Sequence, residues 1–417
     1  MKFIHAADIH LDSPLSGLTA YPNAPVDLLR TATRRAFSRL VDEAIEEAVS
    51  FVIIAGDLYD GAWKDFNTGI FFCGEMGRLH RAGIPLYLLH GNHDAESEMT
   101  KKLLLPDNVQ VFGSRQATTF HLEDLGVALH GHSFRTASIT ENLAAGYPDP
   151  IAGVLNIGVL HTALEGNAAH ANYAPCSMSD LAARDYDYWA LGHVHEYAIL
   201  RENPWVVFPG NLQGRHVREC GPRGAVMVTA DEGGVRRVER LLVDVLRWEV
   251  VEVDASMART MDEVVRAVGE ALEDVLDNHE GYPIALRIRL TGQTPAHGEL
   301  FGRETQLRAE VLAQAAAVGE DRLWIEKIRV ETTSPFAGER LRARADAVAD
   351  LAVLLDSAPN DSELLEAMAK ELRILVDRAP PELRQLMPEL DSIRSGELEN
   401  LIREVTPGLV AHIMTNS

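Results

Sequence analysis

The sequence predicts an α/β fold, arranged as an open sheet or as a four-layer sheet sandwich. Short apolar runs alternate with segments of helical spacing early in the chain, and hairpin-like strands follow later. The clearest strand opens residues 51–61, FVIIAGDLYDG, whose consecutive apolar residues are typical of a strand buried on both faces. The run stops at Gly56-Asp57. That places a carboxylate at the carboxyl end of the strand, the edge where α/β sheets bind ligands.

The bulk composition is that of an ordinary globular protein. The chain has 417 residues, 46% hydrophobic and 24% charged, which is enough for two or three domains. Its three cysteines are far apart and form no paired motif, which argues for a reducing compartment. The amino terminus reaches a charged residue too early for a signal peptide, and no run of about 18 apolar residues is present. We therefore expect a cytoplasmic protein with no membrane segment.

The net charge of −23 disfavours a polyanionic partner when it is taken alone. Two features soften this expectation. Several acids of the first half are candidate metal ligands, whose charge bound cations would offset. Arginines also gather in one region, at Arg215, Arg218, Arg223, Arg236, Arg237 and Arg240.

Residues 1–247 are predicted to form the first domain. Helical spacing of apolar residues predicts a helix over 27–49 and another that ends near residue 81. The predicted strands are residues 2–7, 51–55, 84–89, 109–112, 118–122, 127–130, 154–160, 188–191 and 206–209.

Two further segments follow this domain. Residues 248–333 have a β-α-β-α-β pattern, which predicts a small α/β domain without ligand clusters of its own. Residues 334–417 are helical in pattern and punctuated by prolines, which predicts a C-terminal helical segment. The helices predicted there are residues 338–355, 362–376, 381–387 and 396–405.

Polar side chains of metal-ligand type follow the apolar strands of the first domain. Taken singly, each is better explained as a structural residue that ends a strand. Together, their carboxylate, imidazole and amide groups suit Mn, Fe or Zn, and they outnumber what one cation needs. Two cations about 3.5–4 Å apart would use them all and could hydrolyse a phosphoester. His93 is then left to assist the leaving oxygen. The predicted ligands are Asp8, His10, Asp57, Asn92, His161, His193 and His195.

These residues resemble a known family. Together they are similar to the five phosphoesterase motifs of the calcineurin-like metallophosphoesterases, over residues 1 to about 215. The motifs are Asp8-x-His10, Gly56-Asp57-x-x-Asp60, Gly91-Asn92-His93-Asp94, His161 and Gly192-His193-x-His195.

Four further stretches narrow the resemblance. Residues 7–14 and 209–216 resemble DNA-repair exonucleases of the SbcD type. Residues 63–69 and 172–175 resemble the YhaO-like subgroup.

The resemblance implies a role for each site residue. One metal ion would be held by Asp8, His10 and His195, and the other by Asn92, His161 and His193, with Asp57 bridging the two. His93 would face the scissile phosphate, oriented by Asp94. Asp60 is a departure, because many archaeal and eukaryotic relatives have a histidine there, which leaves the substrate preference open.

The resemblance also implies the fold and the partners. The fold would be a β-sandwich metallophosphoesterase core flanked by helices, with residues 248–333 as a capping domain. The C-terminal helices would dock on an SbcC-like or YhaN-like ATPase, and the chain would form a homodimer. Without the resemblance, the apolar stripe of these helices is explained as well by packing among themselves.

The function predicted is metal-dependent DNA hydrolysis in DNA repair, with two divalent ions, Mn2+ being expected and Fe or Zn the alternatives. Arg215, His216 and Arg218 are candidate DNA or phosphate contacts, although a solvated arginine face explains them nearly as well. The runner-up function is a small-molecule phosphodiesterase or a phosphatase on the same scaffold. A third hypothesis, from another class, is a non-catalytic scaffold whose metals stabilise the fold.

Overall fold

The structure is a computed structural model. It describes residues 1–13, 15, 26–60, 66–96, 104–164, 173–279, 281–319, 322–335, 350, 353–355, 357–378, 389–403, 405–406 and 409. Residues 381–387, most of residues 338–355, and positions 14, 63–65 and 172 of the predicted motifs lie outside these ranges. The described residues divide into two compact units, Met1–Glu249 with Tyr282–Ala285, and Val250–Gly281 with Leu286–Ser417.

The first unit contains two six-stranded sheets. The first sheet comprises β1 Lys2–Ala6, β2 Phe51–Ala55, β3 Leu86–Leu89, β4 Val109–Val111, β11 Gly224–Asp231 and β12 Gly234–Leu242. The second comprises β5 Thr118–Leu122, β6 Val127–Gly131, β7 Leu155–His161, β8 Tyr188–Gly192, β9 Ala198–Glu202 and β10 Trp205–Phe208.

Parallel strands form the middle of both sheets. The first sheet has the order β12-β11-β1-β2-β3-β4, with β1 to β4 parallel and β11 antiparallel to β1. The second has the order β5-β6-β7-β8-β10-β9, with β6, β7, β8 and β10 parallel. Because carboxyl ends of neighbouring parallel strands meet at one edge, the residues that follow them converge there.

Helices cover the outer face of the first sheet. They are α1 Val26–Glu46 and α2 Phe66–Arg81, whose apolar faces include Phe37 and Phe72 and pack on Ile4, Val52 and Ile54. Phe51, Ile53, Ile157 and Tyr188 belong to the core between the sheets. Trp189 and Leu181 belong to a third cluster on the outer face of the second sheet, next to the short helix α4 Met178–Ala182. The four-layer α/β sandwich predicted from the sequence is therefore confirmed.

Three strands and two long helices form a small α/β part, which belongs to the second unit except for the first residues of β13 and β14. They follow the predicted order: β13 Arg247–Asp254, α5 Met261–Asn278, β14 Ile284–Thr291, α6 His297–Leu300, α7 Glu304–Gly319 and β15 Leu323–Val330. The N-cap of α5 is Thr260, whose hydroxyl accepts a hydrogen bond from the Glu263 amide. Its buried residues Val264, Val268 and Leu272 recur at helical spacing, so one face packs and the other is solvated.

The C-terminal part contains the described helices α8 Ser362–Arg378 and α9 Glu389–Ser395. Arg373 donates a hydrogen bond to the Arg394 carbonyl, which joins the two helices. None of the helices described combines the length and the apolar character that crossing a membrane requires.

Candidate metal centre and active site

The predicted ligands come from five strand ends that face one another across the sandwich. Asp8 and His10 follow β1, and Asp57 follows β2. Asn92 opens the short helix α3, Asn92–Glu96, just beyond β3, and His161 is the last residue of β7. His193 and His195 follow β8. The structure therefore brings all seven predicted ligands to one edge of the fold.

Four of the candidate ligands have a left-handed backbone conformation. The φ angles are 51° at Asp8, 46° at His10, 53° at Asp57 and 96° at His193. Such a conformation costs about 1–3 kcal/mol for a residue other than glycine and is common where function requires it. Here each of these residues lies just beyond the carboxyl end of its strand, where the chain turns.

Glycines allow the strand ends to approach closely. A Cβ atom on Gly56, whose φ is +101°, would lie 2.3 Å from His161 Nδ1. A Cβ atom on Gly91 would lie 2.3 Å from Asp57 Oδ1. Since neither position has room for a side chain, both glycines are required by the arrangement of the ligands.

The ligand atoms form two neighbouring groups. Asp8, His10 and His195 form one, and Asp57, His161 and His193 the other, each with its ligand atoms within 4.8 Å of one another. Asp57 Oδ2 lies between the groups, 4.0 Å from His10 Nε2 and 3.4 Å from His161 Nε2. This is the position that a bridging carboxylate needs.

The tautomer of His161 is determined by its backbone partner. Its Nδ1–H donates to the Ala55 carbonyl at 2.9 Å, so in the neutral ring the lone pair is on Nε2, on the side of the ligand group. Asn92 Oδ1 lies 3.0 Å from that nitrogen, beside the Asp57 carboxylate. Burial favours the neutral ring, but the charge of Asp57 outweighs it and raises the pKa of His161 to about 9. Three acceptors thus converge on a space that only a proton or a cation can fill favourably.

The residues fit a pair of divalent cations. Among the described residues, neither ring nitrogen of His10 makes a hydrogen bond, although the side chain is 1% exposed. The nearest carboxylate to its Nδ1 is that of Asp60, with Oδ1 at 3.5 Å. A buried imidazole without partners is unfavourable unless it binds a cation. Burial, and then the charge of Arg215, lowers the pKa of His10 to about 3, which keeps the ring neutral as a ligand must be. Burial opposes ionisation of Asp57, but His161 and His10 hold its pKa well below the usual range.

The structure corrects the predicted partner of His93. The Asp94 carboxylate does not orient the His93 ring, because it accepts hydrogen bonds from the backbone amides of Leu58, Tyr59 and Gly91. Burial, and then the charge of Asp57, raises the pKa of Asp94 to about 7. The carboxylate beside the His93 ring is that of Asp60, whose Oδ1 lies 3.5 Å from His93 Nδ1 and also 3.5 Å from His10 Nδ1. Asp94 therefore holds together the two segments that follow β2 and β3, by accepting hydrogen bonds from their backbone amides.

The candidate phosphate contacts are placed differently from one another. Arg215 lies at the centre, with one guanidinium nitrogen 3.8 Å from Asp60 Oδ1 and donating to Ser13 Oγ at 3.3 Å. His216 is partly exposed, with Nε2 3.6 Å from a carboxylate oxygen of Glu219. Arg218 is exposed. The structure thus brings one of the three to the ligand groups.

Sequence reasoning missed Glu219. Its carboxylate is buried and accepts a hydrogen bond from His195 Nδ1 at 2.7 Å. The chain offers only a weak signal for this contact, namely a glutamate four residues beyond Arg215 in a loop without an apolar pattern. Asp60 was noted in the sequence, but its contact with His93 was not predicted.

Comparisons with known proteins agree with this geometry. Residues 1–197 match the family of calcineurin-like phosphoesterases, and residues 248–333 match the middle domain of the metallophosphoesterase YhaO. An uncharacterized metallophosphoesterase YhaO from Bacillus subtilis is 33% identical over 71% of this chain and 72% of its own length.

More distant relatives have more specific names. A DNA double-strand break repair protein Mre11 from Sulfurisphaera tokodaii is 24% identical over 68% of this chain and 72% of that protein. A protein of the same name from Methanopyrus kandleri is 24% identical over 95% of this chain and 87% of its own length. The solved structure of a dimetal phosphatase from Danio rerio aligns with a TM-score of 0.34 and 11% identity, over 58% of this chain and 98% of that one.

Proposed function

We propose that this chain, which belongs to the calcineurin-like metallophosphoesterase family and to its YhaO-like branch, is a metal-dependent DNA nuclease. Family membership makes it a phosphoester hydrolase that uses two divalent metal ions. The proposal adds DNA as substrate, DNA repair as the process and Mn2+ as the expected metal. The observation that carries it is that two groups of candidate metal ligands lie next to the solvent-accessible pair of His93 and Asp60.

The chain's own residues suit phosphodiester hydrolysis. Two bound cations would stabilise charge on the phosphoryl oxygens and activate water for in-line attack. His93 is 38% exposed, and Asp60 lies beside its Nδ1, so Nε2 is the ring nitrogen that can protonate a departing sugar oxygen. Arg215 places a positive charge beside the same carboxylate, within reach of a phosphate at the centre.

DNA is favoured over a small phosphodiester by two observations. Two of the relatives are named for DNA double-strand break repair, and the similarity to one of them spans 95% of this chain. The chain also continues for about half its length beyond the ligand groups, into an α/β unit and helices that a small substrate would not require.

The proposal extends to partners. Val353, Leu354 and Ile374 in the C-terminal helices are 61%, 60% and 53% exposed, which supports docking of an SbcC-like or YhaN-like ATPase on these helices. A homodimer is part of the same proposal. None of the three cysteines is in a disulfide, which supports a cytoplasmic location.

A hydrolysis assay tests the proposal. The purified chain, with Mn2+ or with EDTA, is given end-labelled linear DNA, single- or double-stranded, and in parallel bis-p-nitrophenyl phosphate. We expect Mn2+-dependent DNA degradation, and a loss of about 10²-fold or more in kcat in His93→Ala, because the general acid is removed.

His121→Ala is the matched control, since its ring is also partly exposed, at 40%, but lies on β5. It should retain wild-type activity. Hydrolysis of the small diester with DNA left intact would favour the small-substrate alternative. If the chain bound Mn2+ but hydrolysed neither substrate, the result would favour the non-catalytic scaffold.

A further inference from the structure

Glu219 occupies an unusual position for a glutamate. It is 4% exposed, in the loop between β10 and β11, and belongs to neither group of candidate ligands. Burying a carboxylate is unfavourable unless its oxygens accept hydrogen bonds. Burial opposes its ionisation, but the hydrogen bond from His195 and the charge of Arg215 hold the pKa of Glu219 well below its usual range. The carboxylate is therefore a buried anion whose partners explain its presence.

One oxygen of Glu219 determines the tautomer of His195. Oε1 lies 2.7 Å from His195 Nδ1, and since a carboxylate only accepts, Nδ1 carries the proton. The lone pair is then on Nε2, which lies 3.8 Å from Asp8 Oδ1 and belongs to the ligand group of Asp8 and His10. A carboxylate behind a metal-binding imidazole also orients the ring and raises its basicity.

The other oxygen holds the loop that carries Arg215. Oε2 accepts from the Arg215 backbone amide at 2.7 Å and from Asn211 Nδ2 at 2.9 Å. The Arg215 guanidinium lies 3.5 Å from Oε1. Its other terminal nitrogen lies near the Asp60 carboxylate and donates to the Ser13 hydroxyl. The fold of this loop is tight, since a Cβ atom on Gly214 would lie 2.7 Å from the Glu219 carbonyl.

We propose that Glu219 is a positioning residue that holds His195 as a metal ligand and Arg215 as a phosphate contact at the same time. The inference rests on the proposed function, because it concerns the same centre. Affinity for one cation and affinity for the phosphodiester thus depend on one buried carboxylate, whose two oxygens accept from His195 and from the backbone amide of Arg215.

The donors around Glu219 make a glutamine a poor substitute. His195, Asn211 and Arg215 all donate, and they use both oxygens. An amide offers one oxygen and one NH2 group, so one side must place a donor against a donor. If the NH2 faces His195, the ring must move its proton to Nε2 and lose its lone pair for the metal. If the NH2 faces Arg215, the Arg215 backbone amide and Asn211 lose the oxygen that accepts their hydrogen bonds.

Metal titration tests this inference without any substrate. Mn2+ is titrated calorimetrically into EDTA-stripped full-length wild type and Glu219→Gln. We expect two ions in the wild type, and in Glu219→Gln one ion bound about 10–100-fold more weakly, as is usual when a carboxylate behind a ligand is lost. Glu219→Asp keeps the charge on a shorter side chain and should restore part of the affinity.

Glu196→Gln is the control, because Glu196 is next to His195 in the chain but pairs with Arg223, not with the His195 ring. It should bind both ions as the wild type does. Wild-type affinities in Glu219→Gln, or an equal loss in Glu196→Gln, would overturn the inference.

A second measurement uses only the wild type, so it tests the inference even if Glu219→Gln does not fold. Nitrogen chemical shifts of 15N-histidine-labelled, metal-free wild type should show His195 protonated at Nδ1, and a proton at Nε2 would overturn the inference. Because no step uses DNA, failure of the chain to cleave DNA would count against the proposed function alone.

Discussion

Acidification should weaken the contact between the two sheets at His5. This residue lies in β1 of the first sheet and is fully buried. Its Nδ1 accepts a hydrogen bond from the Tyr188 hydroxyl at 3.0 Å, and its Nε2–H donates to the Leu191 carbonyl at 3.0 Å. Both partners lie in β8 of the second sheet. The neutral ring is fully satisfied, and a second proton on Nδ1 would remove the acceptor that the Tyr188 hydroxyl uses.

The magnitude follows from the pKa. Burial lowers the pKa of His5 from 6.5 to about 3, against the opposing effect of the Leu191 carbonyl. Because the folded pKa lies below the unfolded one, the unfolded chain binds the proton more tightly. The contribution of His5 to the free energy of unfolding is fully present above pH 6.5. Below that pH it is lost by about 1.4 kcal/mol per pH unit. At pH 5.0 the loss from this one residue is about 2 kcal/mol.

The assay compares wild type with His5→Gln, whose amide can donate to Leu191 and accept from Tyr188 but does not titrate. Hydrogen exchange of the peptide containing β1 gives its opening free energy in urea, with EDTA present, at pH 7.5 and pH 5.0. Other buried histidines contribute equally to both proteins and cancel. We expect the wild type to lose about 2 kcal/mol more than the variant. Equal losses in the two proteins would refute the assignment to His5.

Three further predictions concern the centre. Asp60→Asn should lower kcat on bis-p-nitrophenyl phosphate by about 10–100-fold, with little further loss when His93→Ala is added, and additive losses would contradict their pairing. Arg215→Met should raise KM by about 10-fold, as expected for one charge-assisted hydrogen bond, with Mn2+ affinity unchanged. A fall in kcat alone would contradict a binding role. Gly91→Ala should destabilise the fold by about 1–3 kcal/mol and weaken Mn2+ binding in a calorimetric titration, whereas Gly74→Ala, in α2 with open space around it, should not.

The sequence located the candidate ligands because their positions follow from a local rule. A parallel strand buried on both faces, such as β2 with its sequence FVIIA, is a continuous apolar run. The polar residue after it must lie at the carboxyl edge of the sheet. Asp57 and His161 could be recognised this way without any knowledge of which strands are neighbours.

Strands at exposed edges escaped prediction. β12, with the sequence GVRRVERLL, is mostly exposed or half-buried, so it lacks the apolar pattern of a core strand. β9 ends in Leu200, Arg201 and Glu202, all exposed, for the same reason. β11 was missed for a different reason than exposure, because it is a buried strand between β12 and β1. The polar loop that precedes β11 carries Glu219.

The sequence by itself determined the fold class and pointed to the candidate ligand residues, because hydrophobic periodicity and strand ends are local properties. Only the tertiary structure decided which carboxylate serves which histidine. Asp94 adjoins His93 in the chain, but the turn of α3 directs its carboxylate to three backbone amides, and Asp60 lies beside the ring instead. Glu219 reaches His195 across 24 residues because β10 and the loop beyond it return to the same edge. Such pairings depend on how strands are ordered and packed, and residue spacing along the chain does not encode that order.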